Sequence, residues 1–418
     1  MIDIKKIVHA HNEVLERLRR RDPTISLNDI LDLYQEKAPL QYSYESLLRQ
    51  INSISKGVSK LDRTTTDFED ARETSKTFWE QSRAMKERLD LVSRNLEKRL
   101  LEIPNVVLDN VPVSQNKEDK EIVHYYGDKP IFDFPPLDHV ILCERLGLID
   151  FERGTKIAGP GFPLYTGKGA VLEWALINFM IDNARKNGFE FILPPILNNT
   201  ASLVSTGNLP KFQDEIYSCK NDNLHLIPTA ETPITNLYRN EILDAEKLPM
   251  RIVAYTPCFR REAGAAGKIT HGLMRLHQFN KLESYSICLP DQAKSEHELL
   301  INNGEQILKD LKLPFRLANL PSCDLAQQSA QTFDIEIWLP VLEQYSEVSS
   351  ASNCLDYQAR RANIRYRTGK EKGFVTTLNC SALATPRVMI ALLENNQTSD
   401  GHIKIPEPLV KYTGFDVI

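Results

Sequence analysis

The sequence predicts an α+β fold, in which an N-terminal antiparallel two-helix coiled-coil arm precedes a domain built on an antiparallel β-sheet flanked by helices. Three observations support this fold class. Apolar residues recur every seven positions between residues 30 and 103, a helical pattern at 170–186 leads into a proline-ended strand, and two strand-like runs flank a Gly- and Ala-rich loop within 254–283. A chain of 418 residues, 42% of them apolar, is long enough for two or three domains.

The overall charge does not indicate a nucleic-acid partner. Charged residues make up 26% of the chain and the formal net charge is -5, so any RNA contact must depend on local surfaces. The seven cysteines are scattered and form no C-x-x-C pair, which favours reduced thiols over disulfides or a zinc site. The start, MIDIKKIVHAHNE, resembles no targeting segment, and no stretch approaches membrane-spanning length. We therefore expect a cytoplasmic protein with no membrane association.

Residues 27–103 carry the pattern of two long helices joined by a short turn near 62–66. The heptad positions are Leu33, Leu40, Leu47, Ile54, Leu61, Ile30, Tyr44, Ile51 and Val58 in the first helix, and Phe68, Leu89, Leu96, Ile103, Ala71, Phe78, Met85 and Val92 in the second. Pro39 should kink or interrupt the first helix, and Ser75 and Ser82 should weaken the seam, so we expect a bent, projecting arm. The second helix has eight basic and nine acidic residues, which form no basic stripe. A coiled coil used only for dimerisation remains an alternative.

Residues 104–140 predict a connector without regular structure, because they contain five prolines and the polar run QNKEDKE. The chain thus divides into a domain at 1–103, this connector, and a globular domain at 141–418. Near the start of the globular domain, a helix from about Ala170 to Lys186 is closed by Gly188 and followed by a strand that ends at Pro194 and Pro195. A plain buried helix–strand pair would have the same pattern.

The stretch from 254 to 283 holds the densest group of polar side chains that could bind a ligand or take part in catalysis. Because side chains alternate along a strand, Arg260 and Glu262 share one face of the first run. On the returning run, one face carries Arg275, His277, Phe279, Lys281 and Glu283. Arginine binds phosphate in a bidentate way and a flat ring offers a stacking surface for a base. The alternative is a solvated hairpin with cross-strand ion pairs.

Smaller polar groups occur in three other segments. Thr229-Ala230-Glu231 before an apolar run also fits a helix N-cap. The pair Glu347 and Ser350 in Glu-Val-Ser-Ser could supply oxygen ligands to a nucleotide-bound Mg²⁺. Arg387 lies in an otherwise apolar helix, where its charge needs an anionic partner, either a ligand phosphate or a carboxylate on the helix surface.

These segments together resemble a known family. FRREAG followed by GLMRLHQFNKLE is similar to motif 2 of the class II aminoacyl-tRNA synthetases, and the HQF-x-K-x-E ending resembles the seryl-tRNA synthetase version of bacterial type. The helix and proline-ended strand at 170–195 resemble motif 1, the T-x-E and E-V-S-S elements also match, and FVTTLNCSALATPRVMIALLENN resembles motif 3. The resemblance extends over nearly the whole chain.

The resemblance implies a ligase that activates serine with ATP and transfers it to the 3′ end of tRNA(Ser). Arg260, Glu283 and Arg387 would be catalytic: Arg260 would hold the α-phosphate, Phe279 would stack on adenine, and Arg387 would cover the other face of the ring. The implied ATP-binding residues are Arg260, Arg261, Glu262, Arg275, Phe279, Glu347, Val348, Ser349, Ser350 and Arg387. Glu347 and Ser350 would hold Mg²⁺ that arrives with ATP, and no zinc is expected. The implied serine-binding residues are Thr229, Ala230, Glu231, Arg260, Glu283, Asn379 and Ser381.

The resemblance also implies a homodimer whose N-terminal arm binds tRNA(Ser), with tRNA(Sec) left open as a second substrate. The sequence departs from the commoner family residues at Lys268, Ile269, His271, Gly161-Phe162 and Cys380, none of which carries an assigned role. Two other readings stay open. One is a non-catalytic paralogue that binds tRNA, and the other is a ligase that loads amino acids onto a carrier protein.

Overall fold

The computed structural model describes residues 1–59, 61–263 and 271–418, which form two compact units. The N-terminal unit contains Ile2–Arg19 and Thr24–Ile103. The sheet unit contains Met1, Arg20–Pro23 and Pro104–Ile418.

The N-terminal unit is helical, as the heptads predict. Its helices are α1 Ile4–His9, α2 His11–Arg19, α3 Asn28–Val58 and α4 Thr66–Glu102. Asp29 and Glu36, in the first half of α3, form ion pairs with Arg99 and Arg88 in the second half of α4, so the two helices run antiparallel. Every predicted heptad residue is buried or half-buried apart from Leu61, as a coiled-coil seam requires.

Pro39 was predicted to kink or interrupt α3, and the prediction of an interruption is wrong. The helix continues through it to Val58. Proline cannot donate to the carbonyl of Gln35 one turn earlier, but both residues are exposed, so water can hydrogen-bond to that carbonyl. Ser82 is buried at the seam of α4.

The sheet unit is organised around one large sheet. Its strands are β1 Glu121–Tyr126, β2 Ile149–Asp150, β3 Leu164–Tyr165, β4 Glu190–Ile192, β5 Leu197–Asn199, β6 Leu224–Leu226, β7 Ile242–Asp244, β8 Met250–Phe259, β9 Gln278–Cys288, β10 Phe315–Asn319, β11 Gln331–Leu339, β12 Gln344–Asn353, β13 Arg365–Thr368, β14 Glu371–Phe374 and β15 Thr376–Ala384. Within the described residues, eight of them form the sheet in the order β1-β10-β11-β12-β15-β9-β8-β4. All neighbours are antiparallel except β4 and β8.

Helices cover this sheet and bury its core. They are α5 His139–Leu146, α6 Phe151–Ala158, α7 Gly167–Lys186, α8 Thr200–Thr206, α9 Glu231–Thr235, α10 Ala293–Asp310, α11 Tyr357–Ala362, α12 Thr385–Asn395 and α13 Glu407–Thr413. α10 packs on β9, β12 and β15, while α12 packs on β9 and β11, and α7 packs on β8 and β9. Leu176, Leu300, Ile335 and Leu392 are fully buried in the resulting core. This architecture confirms the predicted α+β fold.

The prediction of an irregular connector at 104–140 is wrong for residues 121–126, which form the edge strand β1. It pairs with β10, and the ring of Tyr126 stacks on that of Phe315 at 5.1 Å. The sequence EIVHYY is rich in β-branched and aromatic residues, which favour strands, but the surrounding prolines and charges obscured that signal. In the described part of the chain, no helix is both long and apolar enough to cross a membrane.

Candidate active site

The hairpin predicted at 254–283 forms as β8 and β9, which pair along their full length. The strands are shorter than predicted, because Arg260 and Glu262 follow β8 while Arg275 and His277 precede β9. The N–H of Arg260 still donates to the carbonyl of His277 at 3.0 Å, but the N–H of His277 donates to Gly161 at 3.0 Å. The ladder between the two segments therefore ends at this point.

His277 does not join the charged face that the sequence predicted. Its ring stacks on Phe162 at 5.3 Å, and its Nδ1 lies 3.1 Å from the Tyr217 hydroxyl. A Cβ on Gly161 would lie only 2.6 Å from this ring, so the glycine of the Gly161-Phe162 departure allows the close packing.

Two overlapping cavities, of about 480 and 210 Å³, lie beside β9, β12 and β15. Most of the predicted site residues line them. Both cavities are lined by Arg260, Glu262, Arg275, Lys281, Glu347 and Ser381. The larger also contacts Thr229, Glu231, Glu283, Ser350 and Asn379, and the smaller also contacts Phe279, Val348 and Arg387. The structure thus brings together segments that lie more than 150 residues apart in the chain.

Three predicted residues do not line either cavity. Arg261 is exposed, with its guanidinium 5.9 Å from the ring of Tyr217. Ala230 is fully buried before α9, and Ser349 donates its hydroxyl to the backbone carbonyl of Ser381 at 2.5 Å. The cavity geometry therefore gives no support for direct side-chain contacts from these three residues.

The larger cavity contains two buried carboxylates surrounded by polar side chains. We call this part of it the carboxylate pocket, and it consists of Thr229, Glu231, Lys281, Glu283 and Ser381. Lys281 and Glu283 share a face of β9 and form an ion pair. Lys281 also donates to the Thr229 hydroxyl at 2.7 Å, and Thr229 and Ser381 each donate to Glu283 at 3.4 Å. Ser381 reaches Glu283 because the two residues are directly paired across β15 and β9. This combination of carboxylates and hydroxyls suits a small ligand with an amine and a hydroxyl.

Glu231 forms the second acidic wall of the pocket. Its Oε1 accepts hydrogen bonds from Gln358 at 2.5 Å and from Gln328 at 3.5 Å. Burial, reinforced by the negative charge of Glu283, raises the pKa of Glu231 to about 7. The carboxylate would regain its charge readily beside a ligand ammonium.

The smaller cavity presents an aromatic ring beside cations. The guanidinium of Arg260 lies 5.2 Å from the ring centroid of Phe279. Arg275 donates to Glu262 at 2.9 Å. Glu262 adopts a φ of +50°, which is uncommon for a residue with a side chain. Such strained backbone is found more often at functional sites than elsewhere.

Arg387, at the start of α12, lies beside Glu347 of β12 in the wall of the smaller cavity. Its guanidinium donates to the backbone carbonyl of Glu347 and lies 3.7 Å from the carboxylate of that residue. Register shifts in β12 beside Val348 and in β15 between Ser381 and Ala384 mark β-bulges in both strands of this wall. Bulges re-aim side chains, and here they occur next to the predicted nucleotide residues.

A carboxylate that the sequence analysis did not assign lies under Glu347. Ser350 donates to Asp334 at 2.6 Å and to Glu347 at 3.2 Å. Burial and the charge of Glu347 raise the pKa of Asp334. Two carboxylates and a hydroxyl form an oxygen donor set that suits a hard cation, which would also relieve their repulsion. Across the described ranges, no group of three or more His, Cys, Asp or Glu side chains is placed to hold a metal by itself.

Sequence reasoning placed Lys281 on the charged face without giving it a role, and it missed three other residues of the site: Asp334, Gln328 and Gln358. Asp334 gave only a local signal, since it lies in the alternating run TFDIEIWLP, and its contact with Ser350 depends on the pairing of β11 with β12. Gln328 and Gln358 carried no such signal, because their position beside Glu231 depends on a loop and a short helix distant in the chain.

The departures from the family pattern have separate locations. Lys268 and Ile269 lie outside the described residues. His271 has its Nε2 3.6 Å from Asp138, and Cys380 is fully buried with its thiol 3.3 Å from the hydroxyl of Ser349.

Comparison with known proteins places these features in a family. Residues 214–396 match the family model described as the tRNA synthetase class II core domain (G, H, P, S and T), and residues 1–107 match the seryl-tRNA synthetase N-terminal domain. A protein from Chlorobium phaeobacteroides named Serine--tRNA ligase is 42% identical over 429 aligned positions, which cover 100% of both chains.

Solved structures agree with this assignment. The seryl-tRNA synthetase of Pyrococcus horikoshii complexed with ATP has a TM-score of 0.91 at 33% identity, covering 100% of this chain and 99% of that one. The cytoplasmic Serine-tRNA ligase of Naegleria fowleri in complex with AMP has a TM-score of 0.85 at 27% identity, covering 100% and 98%. The chain therefore belongs to the seryl-tRNA synthetase family of ATP-dependent aminoacyl-tRNA ligases.

Proposed function

We propose that this chain activates L-serine with ATP and transfers the seryl group to the 3′ end of tRNA(Ser). The observation that carries the proposal is the continuity of two sites on one wall. The carboxylate pocket, which suits an amine and a hydroxyl, adjoins a ring and three arginines, which suit a base and phosphates. The Pyrococcus horikoshii relative was solved with ATP, which supports the nucleotide assignment.

In the first reaction, a carboxylate oxygen of serine attacks the α-phosphorus of ATP. A new phosphorus–oxygen bond forms while the bond to pyrophosphate breaks, which gives seryl-adenylate. In the second, a terminal hydroxyl of the tRNA attacks the seryl carbonyl carbon and AMP leaves. Neither reaction needs a covalent bond to the protein, so we expect positioning and charge neutralisation to dominate.

The arginines would exchange partners when ATP binds. Arg275 is paired with Glu262 and Arg387 with Glu347, so each already holds a carboxylate that a phosphate can replace. Arg260, between the two cavities, lies where it can neutralise charge on the α-phosphate during attack. Phe279 would stack on the adenine ring.

Glu347 and Ser350, with Asp334 beneath them, would hold Mg²⁺ carried by ATP. Their oxygen donors fit this cation, and the repulsion between the two carboxylates favours its entry. When bound, Mg²⁺ would neutralise phosphate charge and help align the pyrophosphate leaving group.

Serine would be recognised in the carboxylate pocket. Glu231 would bind the ammonium, since its carboxylate is buried and needs a cation, and Glu283 would accept the serine hydroxyl. Alanine cannot supply that hydroxyl, and a site built to bond one can reject such an analogue by roughly 10⁴ to 10⁵.

We further propose that residues 1–103 bind tRNA(Ser), with 141–418 forming the catalytic domain of a cytoplasmic homodimer. The match of residues 1–107 to the seryl-tRNA synthetase N-terminal domain supports the first assignment. Exposed apolar residues one turn apart on α7, Val171 at 41% and Trp174 at 54%, support the use of this helix in dimerisation.

Serine-dependent exchange of pyrophosphate into ATP tests the proposal, followed by addition of tRNA(Ser). We expect exchange with serine and not with alanine, then aminoacylation of the tRNA. A non-catalytic paralogue would fail the exchange, and a carrier-protein ligase would pass it without charging tRNA. Full-length alignment with a Serine--tRNA ligase, including the arm, favours the ligase over both alternatives.

A further inference from the structure

The irregular loop Leu325–Ser329 forms part of the wall of the larger cavity. Ala326 and Gln328 line that cavity, and the amide of Gln328 reaches Oε1 of Glu231 at 3.5 Å. This loop therefore helps to hold the carboxylate to which the serine ammonium is assigned. A loop without helix or strand needs other hydrogen bonds to fix its backbone.

Arg21, from a distant part of the chain, provides most of those bonds. Residues 20–23 belong to the sheet unit although the chain on both sides belongs to the N-terminal unit. The Arg21 guanidinium donates to the carbonyls of Ala326 at 2.7 Å, Gln327 at 3.4 Å and Ser329 at 3.2 Å, and also to Leu325.

Asn105 completes the set. Its backbone N–H donates to Gln327 at 2.8 Å, and its side-chain amide donates to Gln328 at 2.9 Å. Arg21 in turn donates to the carbonyl of Asn105 at 3.1 Å. Every carbonyl from Leu325 to Ser329 thus accepts a bond from Arg21 or Asn105, which fixes the loop along its full length.

The environment of Arg21 is unusual for a charged side chain. It is 8% exposed, and no carboxylate of the described residues lies within salt-bridge distance of its guanidinium. Burial lowers its pKa to about 10, so it remains charged at neutral pH. The dipoles of these backbone carbonyls stabilise the charge, and the planar fork of arginine lets one side chain donate to all of them.

We propose that Arg21 is a positioning residue for serine: it fixes the loop Leu325–Ser329 so that Gln328 holds Glu231 in the orientation that binds the serine ammonium. This inference rests on the proposed function. It assigns to an N-terminal residue an effect on amino-acid binding that is separate from ATP binding, because the loop does not line the smaller cavity with Phe279 and Arg387.

The test is steady-state pyrophosphate exchange by the full-length Arg21→Met and Arg21→Lys variants. We expect Arg21→Met to raise KM for serine by at least about tenfold while KM for ATP changes less than about threefold. Lysine keeps the charge but has one nitrogen, so Arg21→Lys should show an intermediate serine defect. Should Arg21→Met fail to fold, Arg21→Lys alone decides, and an unchanged serine KM would overturn the inference.

Two further comparisons separate positioning from general destabilisation. Arg20→Met removes the neighbouring arginine, which pairs with Asp109 at 2.9 Å, and should leave the serine KM unchanged. Because Arg21 acts through Gln328, adding Arg21→Met to Gln328→Ala should change the serine KM by less than about twofold relative to Gln328→Ala alone. Additive effects, or equal rises in the KM values of serine and ATP, would contradict the proposal. An inactive wild-type protein would instead refute the proposed function.

Discussion

Glu231 and Glu283 lie in one buried pocket, where burial and the charge of Glu283 together raise the pKa of Glu231 to about 7. Glu283 is paired with Lys281, whereas the carboxylate of Glu231 accepts hydrogen bonds from the neutral amides of Gln328 and Gln358. The pocket thus holds one compensated and one uncompensated carboxylate. An incoming ammonium would supply the missing charge.

The first prediction concerns the pH dependence of serine binding. Below about pH 7 the Glu231 carboxyl is protonated in the free protein, and it must lose that proton to bind the serine ammonium. The KM for serine should therefore rise as pH falls below 7, by up to about tenfold per pH unit. The KM for serine is measured by pyrophosphate exchange from pH 5.5 to 8.5. The matched Glu231→Gln variant should bind serine weakly at all pH values without this slope, and a slope that persists in it would exclude Glu231 as the titrating group.

The second prediction concerns stability. The pKa of Glu231 is raised from 4.5 to about 7 in the folded state, so folding favours the protonated form. The contribution of protonated Glu231 to the free energy of unfolding is on the order of 3 kcal/mol. It is fully present below pH 4.5 and is lost as pH rises through 7. Relative to wild type, Glu231→Gln should therefore gain stability between pH 5 and pH 8 in urea unfolding experiments. A difference in stability that is constant over this range would contradict the burial argument.

The third prediction tests the ion pair at the centre of the pocket. Lys281→Met would leave Glu283 buried and uncompensated beside Glu231, which should destabilise the fold by about 3 to 5 kcal/mol. The double variant Lys281→Met/Glu283→Gln removes both charges and should recover most of that loss, while serine activation remains absent. Urea unfolding of the two variants and Glu283→Gln measures the coupling. Equal destabilisation in Lys281→Met and the double variant would mean that the two charges do not interact.

Local sequence patterns predict the fold where the spacing of apolar or polar residues stays constant over many residues. The heptads of α3 and α4 fix both helices, and alternation fixes β9, so that Phe279, Lys281 and Glu283 line the two overlapping cavities. The pattern fails at β1, where six strand residues are surrounded by prolines and charges. It also fails at His277, because the N–H contact with Gly161 ends the ladder, and this contact depends on tertiary structure.

The residues of the candidate site also fall into those that local sequence patterns predict and those that they do not. Most residues assigned from motifs line the cavities, since each motif reports a local backbone path that places its own side chains. The residues that sequence reasoning missed act on other residues: Gln358 and Gln328 bind Glu231, and Asp334 binds Ser350. Such contacts join segments far apart in the chain, and no spacing within one segment encodes them.

The fourth prediction concerns the nucleotide end. Arg387→Gln would remove the guanidinium that pairs with Glu347 and is assigned to ATP. We expect kcat for pyrophosphate exchange to fall by about 10² to 10³ and KM for ATP to rise, with KM for serine little changed. Arg365→Gln, an exposed arginine on β13, is the matched control and should behave as wild type. A serine-specific defect in Arg387→Gln would reverse the assignment of the two ends of the site.

The fifth prediction separates the roles of the two units. A variant in which residues 30–102 are replaced by a short Gly-Ser linker keeps residues 20–23 and 104–418, which form the sheet unit together with Met1. All residues lining the two cavities are retained, so serine-dependent pyrophosphate exchange should stay within about threefold of wild type. Aminoacylation of tRNA(Ser) should fall by at least about a hundredfold, because the N-terminal domain is the proposed tRNA-binding surface and phosphate contacts supply much of RNA affinity. Circular dichroism must first establish that the shortened protein is folded. Loss of both activities in a folded protein would show that the arm supports the catalytic site itself, and retention of both would exclude it as the tRNA-binding element.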